Sequence, residues 1–172
     1  MNAATVNPSR SLPPAYFSQQ VVNARRFYLN LDPPRTAALA VVSGGCEFCS
    51  PDYRVRRSTF PFYSIEYVLR GRGRLKLDGR ARELQPGSIF SYGPGIPHDI
   101  IADPSDPQVK YFIDFSGRQS KGLLQRSRLP PGSVLQVFPP YEIQNLFDEL
   151  IHCGQQNPRP ESPLCRGLLE CI

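Results

Sequence analysis

Five cysteines and two histidines are the side chains of this 172-residue sequence that could ligate a soft metal or exchange electrons. Cys46-Glu47-Phe48-Cys49 has the two-residue spacing of a zinc half-site or a redox pair. A structural zinc needs four ligands, usually drawn from two such pairs, and no second pair follows. His152, Cys153, Cys165 and Cys171 stand far down the chain from Cys46. An odd number of cysteines, behind an N-terminus without the apolar run of a secretion signal, argues against a disulfide framework. Ordinary reduced thiols are the plain expectation, and a redox or zinc sensor on Cys46 and Cys49 is the competing one. No phosphate-binding loop and no nucleophile elbow is visible. The chemistry-bearing residues point to binding and not to catalysis, with no cofactor.

Composition narrows the setting. The length suits one domain with tails, large enough to bury a core. Nineteen prolines are many for such a domain, and they cluster outside the central stretch, where they mark arms and linkers. The net charge of +5 is spread along the chain and not gathered in one block. Arg54, Arg56, Arg57, Arg70, Arg72, Arg74, Arg80 and Arg82 alternate with apolar or small residues, as solvent-facing strand positions do. A nucleic-acid surface on this part of the protein is therefore the lesser expectation. No apolar run approaches the ~18 residues that span a bilayer, and a cytoplasmic protein with no membrane partner is expected.

The elements that must position any site begin with Tyr63 to Ala102. Short β-type runs alternate there with turn signals: Asp78-Gly79 for a two-residue hairpin, Pro86-Gly87 for a type II turn, and Gly93-Pro94-Gly95-Ile96-Pro97 before His98. Such short strands with such frequent turns indicate a sandwich or barrel. Upstream, Arg26–Leu31 and Ala37–Val42 read as strands, the second stopped at Ser43-Gly44-Gly45 and followed by a connection. Downstream, Val109–Phe115 is a strong strand. Residues 1–20 read as an arm with Tyr16 and Phe17 as docking points. The barrel is expected over 21–118 and a helical region over 119–172.

In that last region Ile143, Leu146, Phe147, Leu150 and Ile151 form one stripe of an amphipathic helix. Ser162-Pro163 opens a second helix, whose face is Leu164, Leu168, Leu169 and Ile172. These stripes, with Leu164 and Leu168 prominent, are expected to stay partly uncovered and to build a homodimer. The second stripe stops without a C-cap, and the expectation is that the chain is the N-terminal part of a longer protein.

Gly87-x5-Gly93-Pro94-Gly95-x2-His98 resembles the second sequence motif of the cupin superfamily, with Gly93 at its first proline and Ala102 at its asparagine. The wider run is similar to the N-terminal effector domain of AraC-type transcription regulators. It comprises Tyr67 to Gly73, Leu77-Asp78-Gly79, Leu84-x-Pro86-Gly87, Pro94-Gly95-x-Pro97-His98 and Phe112-x-Asp114-Phe115. The resemblance covers about Arg54 to Ile172. It implies a mainly β fold, a cupin jelly roll followed by α-helices. It also implies a small-molecule effector, often a sugar, with DNA read by a C-terminal helix-turn-helix domain absent from this sequence.

Cupin enzymes hold a metal through three histidines and a glutamate. Laying the first cupin motif on the chain by Gly71 puts its glutamate at Ser64, and its histidines at Ser58 and Phe60 or at Arg57 and Thr59. His98 is then a single ligand where three or four are needed, and no metal is expected. A cupin enzyme with an unusual site is the second reading. The strand period puts Ser64, Glu66 and Val68 on one face of Tyr63–Arg70. With Ser64 at a former metal position, that face is taken as the pocket. Arg57, Ser64, Glu66, Tyr92 and His98 are the expected ligand contacts, with Tyr16 and Phe17 as a lid.

Overall fold

The computed structural model describes residues 14–156 and 158–172. Ten strands and three helices follow in order: β1 Val21–Tyr28, β2 Ala40–Cys49, β3 Arg54–Arg57, β4 Tyr63–Arg70, β5 Gly73–Leu77, β6 Arg80–Leu84, β7 Ser88–Tyr92, β8 His98–Ala102, β9 Val109–Ser116, α1 Ser120–Arg126, β10 Val134–Gln136, α2 Pro140–Gln156 and α3 Pro163–Cys171. They form two antiparallel sheets, one ordered β1-β2-β9-β4-β7-β10 and the other β3-β8-β5-β6. The sheets close face to face as the expected jelly roll, with the three helices coming after β9.

Local chemistry makes the turns. Asp78 and Gly79 both have positive φ, 47° and 78°, and join β5 to β6 as a two-residue hairpin with Leu77 paired to Arg80. At Pro86-Gly87 the Ser88 amide donates to the Gln85 carbonyl at 2.9 Å and Gly87 has φ 88°. At Pro94-Gly95 the Ile96 amide donates to Gly93 at 3.1 Å. Both are the expected reversals, proline first and glycine second.

Four local expectations differ from the structure. Ser43-Gly44-Gly45 does not stop a strand; β2 runs through it to Cys49. The glycines serve close approach, because a Cβ on Gly44 would lie 2.7 Å from the Phe27 ring and one on Gly45 2.5 Å from the Arg25 carbonyl. β1 pairs antiparallel with β2 along that stretch, Arg26 opposite Gly45 and Phe27 opposite Gly44, and it begins at Val21 and ends at Tyr28 instead of spanning Arg26–Leu31. The connection expected after the glycines contains β3, and the expected helical region contributes β10 to the larger sheet. Residues 1–13 of the expected arm lie outside the described residues.

There are two cores. One lies between the sheets, around Val42, Val55, Phe60, Val68, Leu75, Phe90 and Ile100. The other lies between the outer face of the larger sheet and the helices. Phe147 stacks on Tyr67 and Tyr111 there, with ring centroids 6.2 and 5.2 Å apart, and Leu150 and Ile151 are buried beside it. The barrel takes up most of the α2 stripe expected to stay partly uncovered: Phe147, Leu150 and Ile151 are buried, while Ile143 and Leu146 are half-buried. An amphipathic pattern tells that a face is covered, and the nearest sheet covers this one. In α3 Leu169 is buried and Leu168 half-buried, while Leu164 stays 61% exposed.

Candidate functional site

Strand pairing assembles a polar interior in three rows. Ser43, Asp114, Ser64 and Tyr92 stand side by side across β2, β9, β4 and β7. Gly45, Phe112, Glu66 and Phe90 form the next row. Glu47, Lys110 and Val68 form the third. The period-2 alternation of each strand sends all of these to the barrel interior and sends Ile65, Tyr67, Tyr111 and Ile113 to the helix side.

Charge in that interior is tightly matched. The Lys110 ammonium donates to Glu66 at 2.7 Å and stands 3.1 Å from Glu47, all three side chains being almost completely buried. Arg26 reaches in from β1 and donates to Glu47 through Nε and Nη2 at 3.0 and 2.7 Å. Burial opposes the charge on Lys110, yet the two carboxylates outweigh it and hold the ammonium well above its ordinary range. Burial likewise pushes Glu47 up, and Lys110 and Arg26 overcome it to leave the carboxyl below its ordinary value. The Tyr92 hydroxyl donates to Glu66 at 2.6 Å. Asp114 has no such cation: burial pushes its carboxyl up to about 7, against the pull of the Ser43 and Ser64 hydroxyls. Ser43 donates to it at 2.8 Å.

The open end of this interior is lined by aromatic rings. Tyr16 packs edge-on against Phe60 and Phe62 at 5.6 and 6.0 Å, and Phe17 lies against Phe112 at 5.5 Å. The Arg57 guanidinium sits 4.6 Å from the Phe60 ring centre and donates to the Tyr16 carbonyl. With Tyr16 and Phe17 in place, the cavity among Glu47, Glu66, Lys110 and Asp114 is about 20 Å³, room for roughly one water. Arg57 also lines a groove of about 570 Å³ that includes Arg54, Lys76 and His98.

His98 stacks on Tyr92 at 3.9 Å. Its Nδ1 lies 3.2 Å from the Ile96 carbonyl, which only accepts, so Nδ1 carries the hydrogen. Nε2 is then a buried acceptor with no partner. Burial holds the ring below its ordinary pKa and therefore neutral.

The structure thus brings Arg57, Glu66 and Tyr92 together around one cavity with Tyr16 and Phe17 at its mouth, and sets Ser64 and His98 directly against them. Glu47, Lys110, Asp114, Tyr53 and Arg26 belong to the same interior and were not singled out by sequence. The available signal was Lys110-x-Phe112-x-Asp114, a charged period-2 pattern in an otherwise apolar strand.

The donor set does not fit a transition metal. His98, the single imidazole here, is packed edge-on by Phe60 at 6.3 Å and has no second imidazole beside it among the described residues. No group of three or more His, Cys, Asp or Glu is disposed around a common point among the described residues. Cys46 and Cys49, three apart on one extended strand, face opposite sides: Cys46 lies in the helix-side core and Cys49 in the barrel core. They cannot act as one pair.

The sequence matches the family described as AraC-like ligand binding domain over residues 42–170. A regulatory protein of the Msm operon from Streptococcus mutans is 30% identical over 91 residues, which is 53% of this chain and 33% of that protein. The chain therefore spans about a third of the length of that curated relative. Among solved structures, the AraC-like transcriptional activator CuxR superposes with a TM-score of 0.53 at 14% identity, covering 77% of this chain and 51% of that one. YhaK from Escherichia coli superposes at 0.50 with 12% identity, over 69% and 53%. At such identities the two structures share the fold alone.

The raised pKa of Asp114 has a signed consequence for stability. The folded state holds a proton that the unfolded chain releases near 3.8, so the contribution is full below that value and is lost as pH rises toward about 7. Asp114→Asn removes this dependence. Urea unfolding from about pH 4 to pH 7 is expected to shift the stability difference in the variant's favour by up to about 4 kcal/mol.

Proposed function

The chain belongs to the AraC-like ligand binding domain family, and on that premise we propose that its barrel senses a neutral, polyhydroxylated small molecule, sugar-like in chemistry. The observation that carries this reading is the pairing of charge in the interior. Glu47 and Glu66 are matched by Lys110 and Arg26, and Asp114 is held toward its neutral form. An anionic ligand would have only Arg57 to answer it, and that guanidinium already lies over the Phe60 ring and donates to the Tyr16 carbonyl, whereas hydroxyl groups can use the acceptors the set leaves free. Each Glu66 oxygen has one acceptor site left beyond Tyr92 or Lys110, and His98 Nε2 accepts one hydrogen bond more. The rings of Phe60 and Tyr92 offer apolar faces for a sugar ring.

Arg57, Ser64, Glu66, Tyr92 and His98 are the proposed contacts. Tyr16 and Phe17 are the proposed lid, because a cavity of about 20 Å³ admits no sugar until they move. The domain would serve a cytoplasmic transcription regulator that contacts DNA outside residues 1–172. No helix among the described residues is long and apolar enough to cross a membrane. The division into an arm over 1–20, a barrel over 21–118 and a helical linker and dimerisation region over 119–172 belongs to the same proposal, as does sensing without turnover.

Calorimetric titration with neutral monosaccharides and with uronic acids tests the ligand class. A neutral sugar should bind, and Glu66→Gln should weaken it at least about tenfold, the worth of one buried charge-assisted hydrogen bond. Binding confined to uronic acids, or an unchanged affinity in the variant, would contradict the reading.

Homodimerisation is proposed through the apolar surface that the helical region still exposes, chiefly Phe138, Tyr141 and Leu164 at 76%, 60% and 61% exposure. Light scattering at micromolar concentration should give twice the chain mass, and Leu164→Glu should shift it toward one. A wild-type monomer would count against it.

A further inference from the structure

Cys153 and Cys165 were read from sequence as ordinary thiols, and the fold gives them a relation that the sequence does not show. Cys153 lies in the last turn but one of α2, and Cys165 at the third position of α3. Their sulfurs stand 3.1 Å apart, buried between the two helices. Ser162, the N-cap of α3, accepts from the Cys165 amide at 3.2 Å, and its hydroxyl lies 3.9 Å from the Cys153 sulfur. A disulfide needs its sulfurs about 2.0 Å apart, so closure asks for a displacement of roughly 1 Å. Among the described residues no other pair of thiols is in sulfur contact.

We propose that Cys153 and Cys165 are a modification site: a dithiol that peroxides convert to a disulfide, fixing α3 to α2. The proposal is independent of the ligand reading. Cys153 is 8% exposed and Cys165 is not exposed, so Cys153 meets the oxidant. Its thiolate attacks one peroxide oxygen; the O–O bond breaks, and the leaving alkoxide or hydroxide takes a proton. Cys153 is then a sulfenic acid. The Cys165 sulfur attacks that sulfur, the S–O bond breaks, and the departing hydroxide leaves as water with the Cys165 proton. Two thiols are oxidised by two electrons, and one peroxide is reduced to water and an alcohol, or to two waters from hydrogen peroxide.

Geometry also says what the bond would do. Phe147, Leu150 and Ile151 bind α2 to the barrel, and Gly154 lets its last turn approach so closely that a Cβ there would meet the Phe27 ring at 2.4 Å. α3 is held by a shorter set of contacts, chiefly Cys165 and Leu169. A covalent bond at Cys165 therefore ties the less anchored helix, through α2, to the barrel. Burial pushes the Cys165 thiol up to about 11, so Cys165 keeps its proton until it attacks the oxidised Cys153 sulfur. A reducing cytoplasm keeps it open until peroxide arrives.

The test uses the full 172-residue chain, reduced, then exposed to hydrogen peroxide, alkylated and mapped by mass spectrometry. A Cys153–Cys165 peptide two mass units lighter than its reduced form should appear, while Cys46 and Cys49 stay alkylatable after denaturation. Amide exchange in 162–171 should slow by about tenfold or more, as expected when a short loop is closed covalently. Cys153→Ala, a variant that removes only one sulfur, should lose both effects. Recovery of both thiols after peroxide, or oxidation only between copies at exposed Cys171, would overturn the proposal.

Discussion

The buried ammonium of Lys110 between Glu47 and Glu66 is the constraint around which the barrel is built. Moving three ionised groups out of water costs several kcal/mol per ion, and only close, hydrogen-bonded pairing offsets it. The pairing requires β2, β9 and β4 to be adjacent and in the observed register, since a one-residue slip would put Lys110 among the aromatic rings of the helix-side core. Arg26 adds a fourth charge, and it reaches Glu47 because Gly45 lets the paired strand β1 lie close against β2. Sheet order, glycine placement and interior charge are one connected requirement.

That requirement explains why the interior suits recognition. Matched charges fix Glu66 and Tyr92 in place, so their remaining acceptor sites are presented in a fixed geometry to anything that enters. His98 contributes a neutral ring whose free nitrogen only accepts. The aromatic belt of Phe60, Phe62 and Phe112, with Tyr16 and Phe17 on it, keeps water to about one molecule. The charged interior and its aromatic cover come from different stretches of chain.

Sequence reading reached the local features and stopped at the long-range ones. Asp78-Gly79, Pro86-Gly87 and Pro94-Gly95 are turns because a few neighbouring residues set their backbone angles. The Ser64, Glu66 and Val68 face was legible because strand alternation is strict. Ser43-Gly44-Gly45 misled because glycines can also admit close packing inside a strand, and here the Phe27 ring lies against Gly44. The α2 stripe was legible as a covered face, but periodicity does not say by what, and the larger sheet takes Phe147, Leu150 and Ile151. Lys110 and Glu47 lie on strands far apart in the chain, so their meeting with Glu66 depends on sheet order. The Cys153–Cys165 contact depends likewise on how α2 and α3 lie together.

The account stands most directly on the free energy of the Lys110 network. Unfolding of wild type, Lys110→Met, and Lys110→Met combined with Glu66→Gln can be followed by circular dichroism in urea at pH 7. The single change should cost about 3–5 kcal/mol by leaving Glu66 a buried carboxylate without a cation, and the double change, which keeps the Arg26–Glu47 pair, should recover most of it. A single variant within about 1 kcal/mol of wild type, or a double variant no more stable than the single, would contradict the claim that this ion network organises the barrel.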